Sequence, residues 1–98
     1  MPKGYWIAHA EVRDRETYDR YRQANAAPFA RWGARFLVRG GDCEIREGAA
    51  RPRTVVIEFP SYADAIACYE DPEYQAAKAI RDPVADADLM IVEGYEPE

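Results

Sequence analysis

Hydrophobic residues alternate with polar ones in four segments of the chain and recur every three or four residues between them. The alternation predicts β-strands at Gly4–Val12, Phe36–Arg46, Arg53–Phe59 and Leu89–Tyr95. The spacing between the strands predicts helices, so the order of elements is β-α-β-β-α-β. This order predicts an α+β, ferredoxin-like fold, in which a four-stranded antiparallel sheet of order 4-1-3-2 carries both helices on one face.

The first strand indicates which face of the sheet the helices cover. One set of its alternate positions is wholly apolar: Trp6, Ala8, Ala10 and Val12. The two alanines would let a helix pack close to the sheet, so we assign this set to the covered face. The other set begins at Tyr5, includes His9 and ends at Glu11. We assign it to an open face without helices.

The first helix is expected to begin at Asp14, whose carboxylate can cap a free backbone N–H. Pro28 interrupts the helical pattern, and its ring would clash with the carbonyl four residues earlier. We therefore expect a kink or break near Asn25–Ala27. Asn25 is a polar residue on the apolar stripe of this helix. It either lines a pocket between helix and sheet or, as we favour, caps the break.

Tyrosines recur at helical spacing in both halves of the chain, at Tyr18, Tyr21, Tyr62, Tyr69 and Tyr74. Their large apolar rings favour core positions, with the hydroxyl groups reaching the rim of the core. The second helix is predicted to start at Ser61, and a further short helix to start after Asp71 with Pro72 in its first turn.

The second strand is expected to contain a bulge at Gly40–Gly41 and to continue to Arg46. If the turn that follows is centred near Gly48, Arg39 lies almost opposite Glu58 on the open face. His9, on the neighbouring strand, would share that face.

His9, Arg39 and Glu58 are the candidate catalytic residues. His9 could move a proton because its ordinary pKa is close to neutral, at about 6.5. Arg39 could hold an anionic oxygen, and Glu58 could orient either of the other two. A cross-strand ion pair between Arg39 and Glu58 that needs no ligand is the simpler interpretation, and we favour it.

The open face is predicted to be partly apolar, with Tyr5, Ile7, Leu37 and Val56 on it. A monomer would expose this mixed patch to water, which is typical of an interaction surface. We therefore expect a symmetric homodimer in which two sheets face each other. Tyr5 and Leu37, together with Asn25, are the candidate ligand contacts.

The composition argues against several classes of function. Residues 1–98 make one domain with a net charge of −5, which argues against nucleic-acid binding. Cys43 and Cys68 are 25 positions apart without metal-ligand spacing, so we expect no metal site and a reducing, cytoplasmic environment. The chain contains no run of 18 apolar residues, so we expect neither a membrane span nor a signal peptide.

Several segments together are similar to one bacterial protein family. They are Gly4–Ala8, Arg39–Gly41, Val56–Ser61, Ala67–Tyr69 and Glu73–Gln75. In this order they resemble the domain of unknown function 1330 family over essentially the whole chain. The resemblance implies a dimeric α+β barrel but no particular activity, because such barrels host enzymes and ligand-sensing domains alike.

Two functional hypotheses remain open from the sequence. In the first, the chain binds or converts a small anionic or aromatic metabolite in the barrel cleft without a cofactor. In the second, it is a non-catalytic dimeric module whose polar residues on the sheet only set the register of the dimer. The sequence leaves open whether the protein is an enzyme.

Overall fold

The fold is a single antiparallel sheet with helices packed on one of its faces. A computed structural model describes residues 2–97. Its elements are β1 (Gly4–Val12), α1 (Arg15–Ala24), α2 (Ala26–Arg31), β2 (Arg35–Arg39), β3 (Arg53–Phe59), α3 (Tyr62–Glu70), α4 (Pro72–Arg81) and β4 (Ala85–Glu93). The strand order is β2-β3-β1-β4, which confirms the predicted ferredoxin-like topology.

The first helical region is divided as its sequence predicts. The Asp14 carboxylate accepts a hydrogen bond from the backbone N–H of Thr17 at 3.2 Å, so α1 begins with a side-chain cap. The helix ends at Ala24, and α2 starts two residues later with Pro28 in its first turn. Proline is tolerated there because backbone N–H groups in a first turn lack intrahelical partners.

A buried carboxylate joins the two helical regions. Asp71 caps α4 by accepting from the backbone N–H of Glu73 at 2.8 Å. It also accepts from Trp32 Nε1 at 2.9 Å and pairs with Arg31 at 2.5 Å, so it connects the α2 region to α4. The hydrogen bonds from Trp32 and Glu73 and the charge of Arg31 lower the pKa of Asp71 to about 2.

The core is an aromatic cluster centred on Trp6. The Trp6 side chain is 1% exposed, and its Nε1 donates to the carbonyl of Ala65 at 2.8 Å. The rings of Phe29, Phe59, Tyr69 and Tyr74 lie 4.9–5.8 Å from it, centroid to centroid. These distances suit edge-to-face packing, so one large side chain of β1 contacts α2, β3, α3 and α4 together.

Two strands, β2 and β4, have boundaries that differ from the predicted ones at both ends. β2 stops at Arg39 instead of Arg46, because Gly40 takes φ +72° and leads the chain away from the sheet after its N–H bonds to Thr54 O. β4 starts at Ala85 instead of Leu89 and pairs with β1 over nine residues. The predicted start was too late because Asp86 and Asp88 interrupt the apolar pattern of the strand. Both lie on the open face, where acidic side chains can reach water.

Tyr62 is the one predicted core tyrosine that lies outside, with 41% of its surface exposed. α3 instead turns Ala65 and Cys68 towards the sheet. These small side chains let the helix approach β1 closely, and Tyr62 is left on the outer side. None of the described helices is long and apolar enough to cross a membrane.

Candidate functional site

A bulge in β2 decides where the arginine of the predicted site lies. Phe36 pairs with Ile57 and Val38 with Val56, so Leu37 is an extra residue in the strand. Because neighbouring side chains point to opposite faces, one extra residue moves every later side chain to the other face. The bulge was predicted at Gly40–Gly41, three positions too late.

Arg39 therefore lies on the covered face, contrary to the prediction. It pairs with Val55, whereas Arg35 is the residue opposite Glu58. The Arg39 guanidinium packs over the Phe36 ring, with its central carbon 4.0 Å from the ring centroid. The favoured Arg39–Glu58 ion pair does not form, because the two side chains point to opposite sides of the sheet.

His9 and Glu58 both lie on the open face but not together. His9 is opposite Thr54, with Nδ1 3.1 Å from the threonine hydroxyl. Glu58 is opposite Tyr5 and accepts a hydrogen bond from its hydroxyl at 3.0 Å, which raises the pKa of Tyr5. Thr54 and Glu58 are four positions apart along one strand, or about 13 Å. The three predicted catalytic residues thus do not converge within one chain.

Tyr5 and Leu37, two of the predicted ligand contacts, belong to an apolar open face. Large exposed hydrophobic side chains accompany them on this face: Val38, Met90 and Val92. The third predicted contact, Asn25, lies on the other side of the sheet. There the structure brings it together with Arg39 in one recess.

This recess lies between α1 and the covered face of the sheet and has two parts. The inner cavity has a volume of about 40 Å³ and the outer cleft about 650 Å³. Both are lined by Ala10, Tyr18, Arg22 and Arg53, so the two parts adjoin. An inner volume of this size has room for a water molecule or a small functional group, and the outer cleft is of the size that holds small metabolites.

Asn25 lines the inner cavity with an unsatisfied amide. The residue is 4% exposed, and its side chain makes no capping hydrogen bond at the α1–α2 break. Among the described residues its amide has no hydrogen-bond partner. The cap that we favoured is therefore wrong, and the pocket-lining alternative describes its position. The amide atoms are not fully enclosed by protein, so a ligand group or a water in the cavity can reach and pair with them.

Four arginines line the inner cavity: Arg22, Arg39, Arg53 and Arg81. No Asp or Glu is among the described residues that line it. The Nε atoms of Arg53 and Arg81 are buried without a hydrogen-bond partner among the described residues. Buried guanidinium donors normally have partners, so these two atoms add to the unsatisfied polar groups around the recess.

The recess has a hydroxyl network beside it. The hydroxyl groups of Tyr21 and Tyr74 lie 3.0 Å apart, and Arg81 Nη1 donates to both, at 3.4 and 3.3 Å. Burial raises the pKa of Tyr74, so its hydroxyl stays protonated at neutral pH. These contacts fix the buried guanidinium next to the cavity.

Two other kinds of chemistry find little support in the described residues. No three His, Cys, Asp or Glu side chains come together there in a group able to hold a metal ion. Cys68 lies in the core, where burial raises the pKa of its thiol to about 12 and so suppresses the reactive thiolate.

Sequence reasoning missed Arg22, Arg53 and Arg81 as site residues. Arg53 shares the period-two set of Val55 and Ile57, which pointed to the covered face. Arg81 is four positions after Ala77 and seven after Tyr74, so helical spacing placed it on the buried face of α4. Neither arginine was predicted to line a site, because a charged residue is normally assigned to the solvent-exposed surface.

Comparisons with known proteins give a family and a fold. The family model described as Domain of unknown function (DUF1330) matches residues 3–95. No curated protein sequence matches the chain.

Three solved structures illustrate the similarity of fold. A protein of unknown function from Rhodopseudomonas palustris has a TM-score of 0.76 and 21% identity, covering 98% of this chain and 85% of its own. SnoaB, a cofactor-independent oxygenase from Streptomyces nogalater, has a TM-score of 0.66 and 10% identity, covering 99% and 97%. A dimeric protein of unknown function with a ferredoxin-like fold from Bacteroides fragilis has a TM-score of 0.61 and 16% identity, covering 93% and 95%.

Proposed function

This chain belongs to the family described as Domain of unknown function (DUF1330), and we propose that it binds a small organic molecule in the helix–sheet recess. The observation that carries the proposal is the amide of Asn25, which lines the inner cavity and makes no hydrogen bond to any described residue. An amide offers both a donor and an acceptor, so it suits a carbonyl or hydroxyl group of a ligand. A ligand group in the inner cavity would give the amide the hydrogen-bond partner that the chain does not supply.

The outer cleft would hold the body of the ligand. Tyr18 lines both parts of the recess, so a ligand that extends from the cleft into the inner cavity would contact this residue. The volume of about 650 Å³ falls within the range of small-molecule sites. A narrow polar group would enter the inner cavity while the larger part of the molecule stays in the cleft.

Conversion of this ligand without a cofactor is a further part of the proposal. Its support is the fold that the chain shares with SnoaB, a cofactor-independent oxygenase. A shared fold does not determine the reaction. Product analysis of any bound compound, with and without oxygen, is the direct test of conversion.

We also propose that the open face forms a homodimer. Met90 is 54% exposed, and Leu37, Val38 and Val92 are also exposed on this face. A second copy would cover them with the same residues, as twofold symmetry requires. The Bacteroides fragilis protein of the same fold is dimeric, which supports this arrangement.

The recess is tested by a thermal-shift screen with small aromatic acids, phenols, quinols and amides. A ligand at a hundredfold excess over its Kd stabilises the folded protein by about 2.7 kcal/mol, which is several degrees for a domain of this size. We expect compounds that stabilise the wild type and do not stabilise Asn25→Leu, which replaces the amide with an apolar group of similar size.

Ala30→Leu is the matched control, because Ala30 is exposed on α2 and lines neither part of the recess. It should keep every response of the wild type. A screen in which Asn25→Leu responds like Ala30→Leu would place the site elsewhere. If no compound stabilises the wild type, the non-catalytic dimeric module becomes the better hypothesis.

A further inference from the structure

Positive charge is concentrated where the inner cavity meets the outer cleft. Resting on the proposed function, we infer that its ligand carries an oxyanion, a carboxylate or phosphate, bound by Arg39 and Arg53 at this junction. Arg22 lines the same junction from α1. The inference goes further than the proposed function because it names the charge and the chemical class of the ligand.

Asp19 is the one carboxylate among the described residues that line the outer cleft, and it pairs with Arg22 at 3.3 Å. The other two arginines of the junction lack such a countercharge. Arg31 pairs with Asp71 and Glu73, and Arg13 pairs with Asp86 at 2.7 Å. In contrast, Arg39 and Arg53 form no ion pair with any described residue. Such an excess of unpaired positive charge is unexpected in a chain with a net charge of −5.

Aromatic rings position the two guanidinium groups without using their N–H donors. The central carbon of Arg53 lies 5.4 Å from the centroid of the Tyr18 ring, and that of Arg39 lies 4.0 Å from the Phe36 ring. Stacking holds a guanidinium by its face and leaves the hydrogen-bonding edge available. Planar N–H edges are suited to paired hydrogen bonds with carboxylate or phosphate oxygens.

The electrostatics of the junction favour an anion. Partial burial and the charges of Arg22 and Arg53 together lower the pKa of Arg39. An oxyanion placed between these groups would replace repulsion with attraction and would satisfy the buried Nε of Arg53.

Gly40 completes the geometry of the junction. A side chain at this position would collide with the Arg53 guanidinium, and the φ of +72° favours glycine independently. The missing side chain lets the guanidinium lie against the backbone and face the recess. Gly40, directly after β2, therefore leaves room for the Arg53 guanidinium at the recess.

The experiment compares charged probes with a neutral probe that carries the same aromatic ring. Sodium benzoate, phenyl phosphate and benzamide are titrated into the full-length protein at constant ionic strength, and Kd values are taken from calorimetry. Sodium phosphate is titrated separately as an anion without an aromatic body. We expect benzoate or phenyl phosphate to bind at least about tenfold more tightly than benzamide, because hydrogen bonds to charged groups are the stronger class.

Two variants and one control locate the anion. Arg39→Gln and Arg53→Gln should each weaken binding of the charged probes about tenfold or more and change benzamide binding little. Arg20→Gln is the control, because Arg20 is exposed on α1 and lines no part of the recess. Circular dichroism checks that each variant is folded. Comparing benzoate with phenyl phosphate shows which oxyanion fits.

The outcomes separate this inference from the function on which it rests. Equal affinity for benzamide and benzoate, or equal losses in Arg20→Gln and Arg39→Gln, would overturn the oxyanion while leaving a ligand in the recess. If none of the four probes binds, the oxyanion inference is wrong, and the Asn25→Leu screen decides separately whether the recess binds neutral compounds.

Discussion

The covered and open faces of this sheet carry different kinds of polar residue. On the covered face, Asn25 and Arg53 line a cavity, where the Asn25 amide and the buried Arg53 Nε have no hydrogen-bond partner among the described residues. On the open face, Tyr5 pairs with Glu58, and His9 contacts Thr54. These four residues of the open face are paired within the chain, whereas Asn25 and Arg53 near the recess have polar atoms without such partners. This difference is why we assign the ligand to the recess and the second protomer to the open face.

The largest effect is expected from removing the centre of the covered face. Trp6→Ala should destabilise the fold by about 3–5 kcal/mol, because it leaves a cavity and removes the hydrogen bond to Ala65. This is a large part of the 5–15 kcal/mol that is typical of a domain. Urea unfolding of the purified variant measures it.

Ile7→Ala is the comparison on the same strand, one position along and on the open face. In dilute solution, where any dimer has dissociated, it should cost much less than Trp6→Ala. Equal losses of stability in the two variants would mean that both faces of the sheet are buried within a single protomer. That result would contradict the difference between the covered and open faces.

The open face is tested by introducing a charge into its apolar surface. Met90→Asp should weaken the dimer about a hundredfold or more while leaving the protomer folded, because an unpaired charge would be buried between the sheets. Sedimentation velocity over a range of concentrations measures the effect. Ala76→Asp, on the exposed side of α4, adds the same charge and should remain dimeric. A wild type that stays monomeric at high concentration would contradict the assignment of the open face as the dimer interface.

Asn25 should show opposite effects on stability and binding. Asn25→Leu replaces a mostly buried polar side chain with an apolar one of similar size, so we expect a gain of up to about 1 kcal/mol, or up to roughly 4–8 °C in Tm, without ligand. The same variant should lose ligand binding, as proposed above. A clear loss of stability would show that the amide has a structural partner, such as a buried water.

The helical layer over the covered face should respond to acid through Asp71. Its pKa is lowered in the folded state, so the carboxylate stabilises the fold above the unfolded pKa of about 4 and loses this effect as the pH falls towards about 2. We expect the wild type to melt a few degrees above Asp71→Asn at pH 7, with the gap closing between these two pH values. Asp42→Asn, at an exposed position, should not alter the pH profile. A gap that does not change with pH would contradict this account.

The smallest effect is expected at His9. Its contact with Thr54 is partly exposed, so His9→Ala should change stability by about 1 kcal/mol or less. Binding in the recess should be unchanged, because His9 lies across the sheet from it. If ligands of the wild type no longer bind to His9→Ala, the ligand site lies on the open face and not in the recess. The proton-transfer role predicted for His9 would then become the stronger hypothesis.

The candidate site was only partly predictable from sequence. Asn25 was recognised as an unusual polar residue on an apolar stripe, and Arg39 as an anion-binding candidate. Arg39 was predicted on the wrong face of the sheet because the bulge lies at Leu37 and not at the glycines. Glycines do suit bulges, but a bulge lies where the cross-strand pairs on both sides fit best. In this sheet, Phe36 stays next to Phe29 in the core and Val38 stays opposite Val56.

The sequence by itself determined the order of elements, the break before Pro28, the caps at Asp14 and Asp71, and the covered face of β1. These features depend on local chemistry and on periodicity, which are present in the chain before it folds. Only the tertiary structure decided that Arg39, Arg53 and Asn25 meet in one recess and that His9 and Glu58 do not meet. The register between β2 and β3 sets these distances, and it depends on packing between residues far apart in the chain.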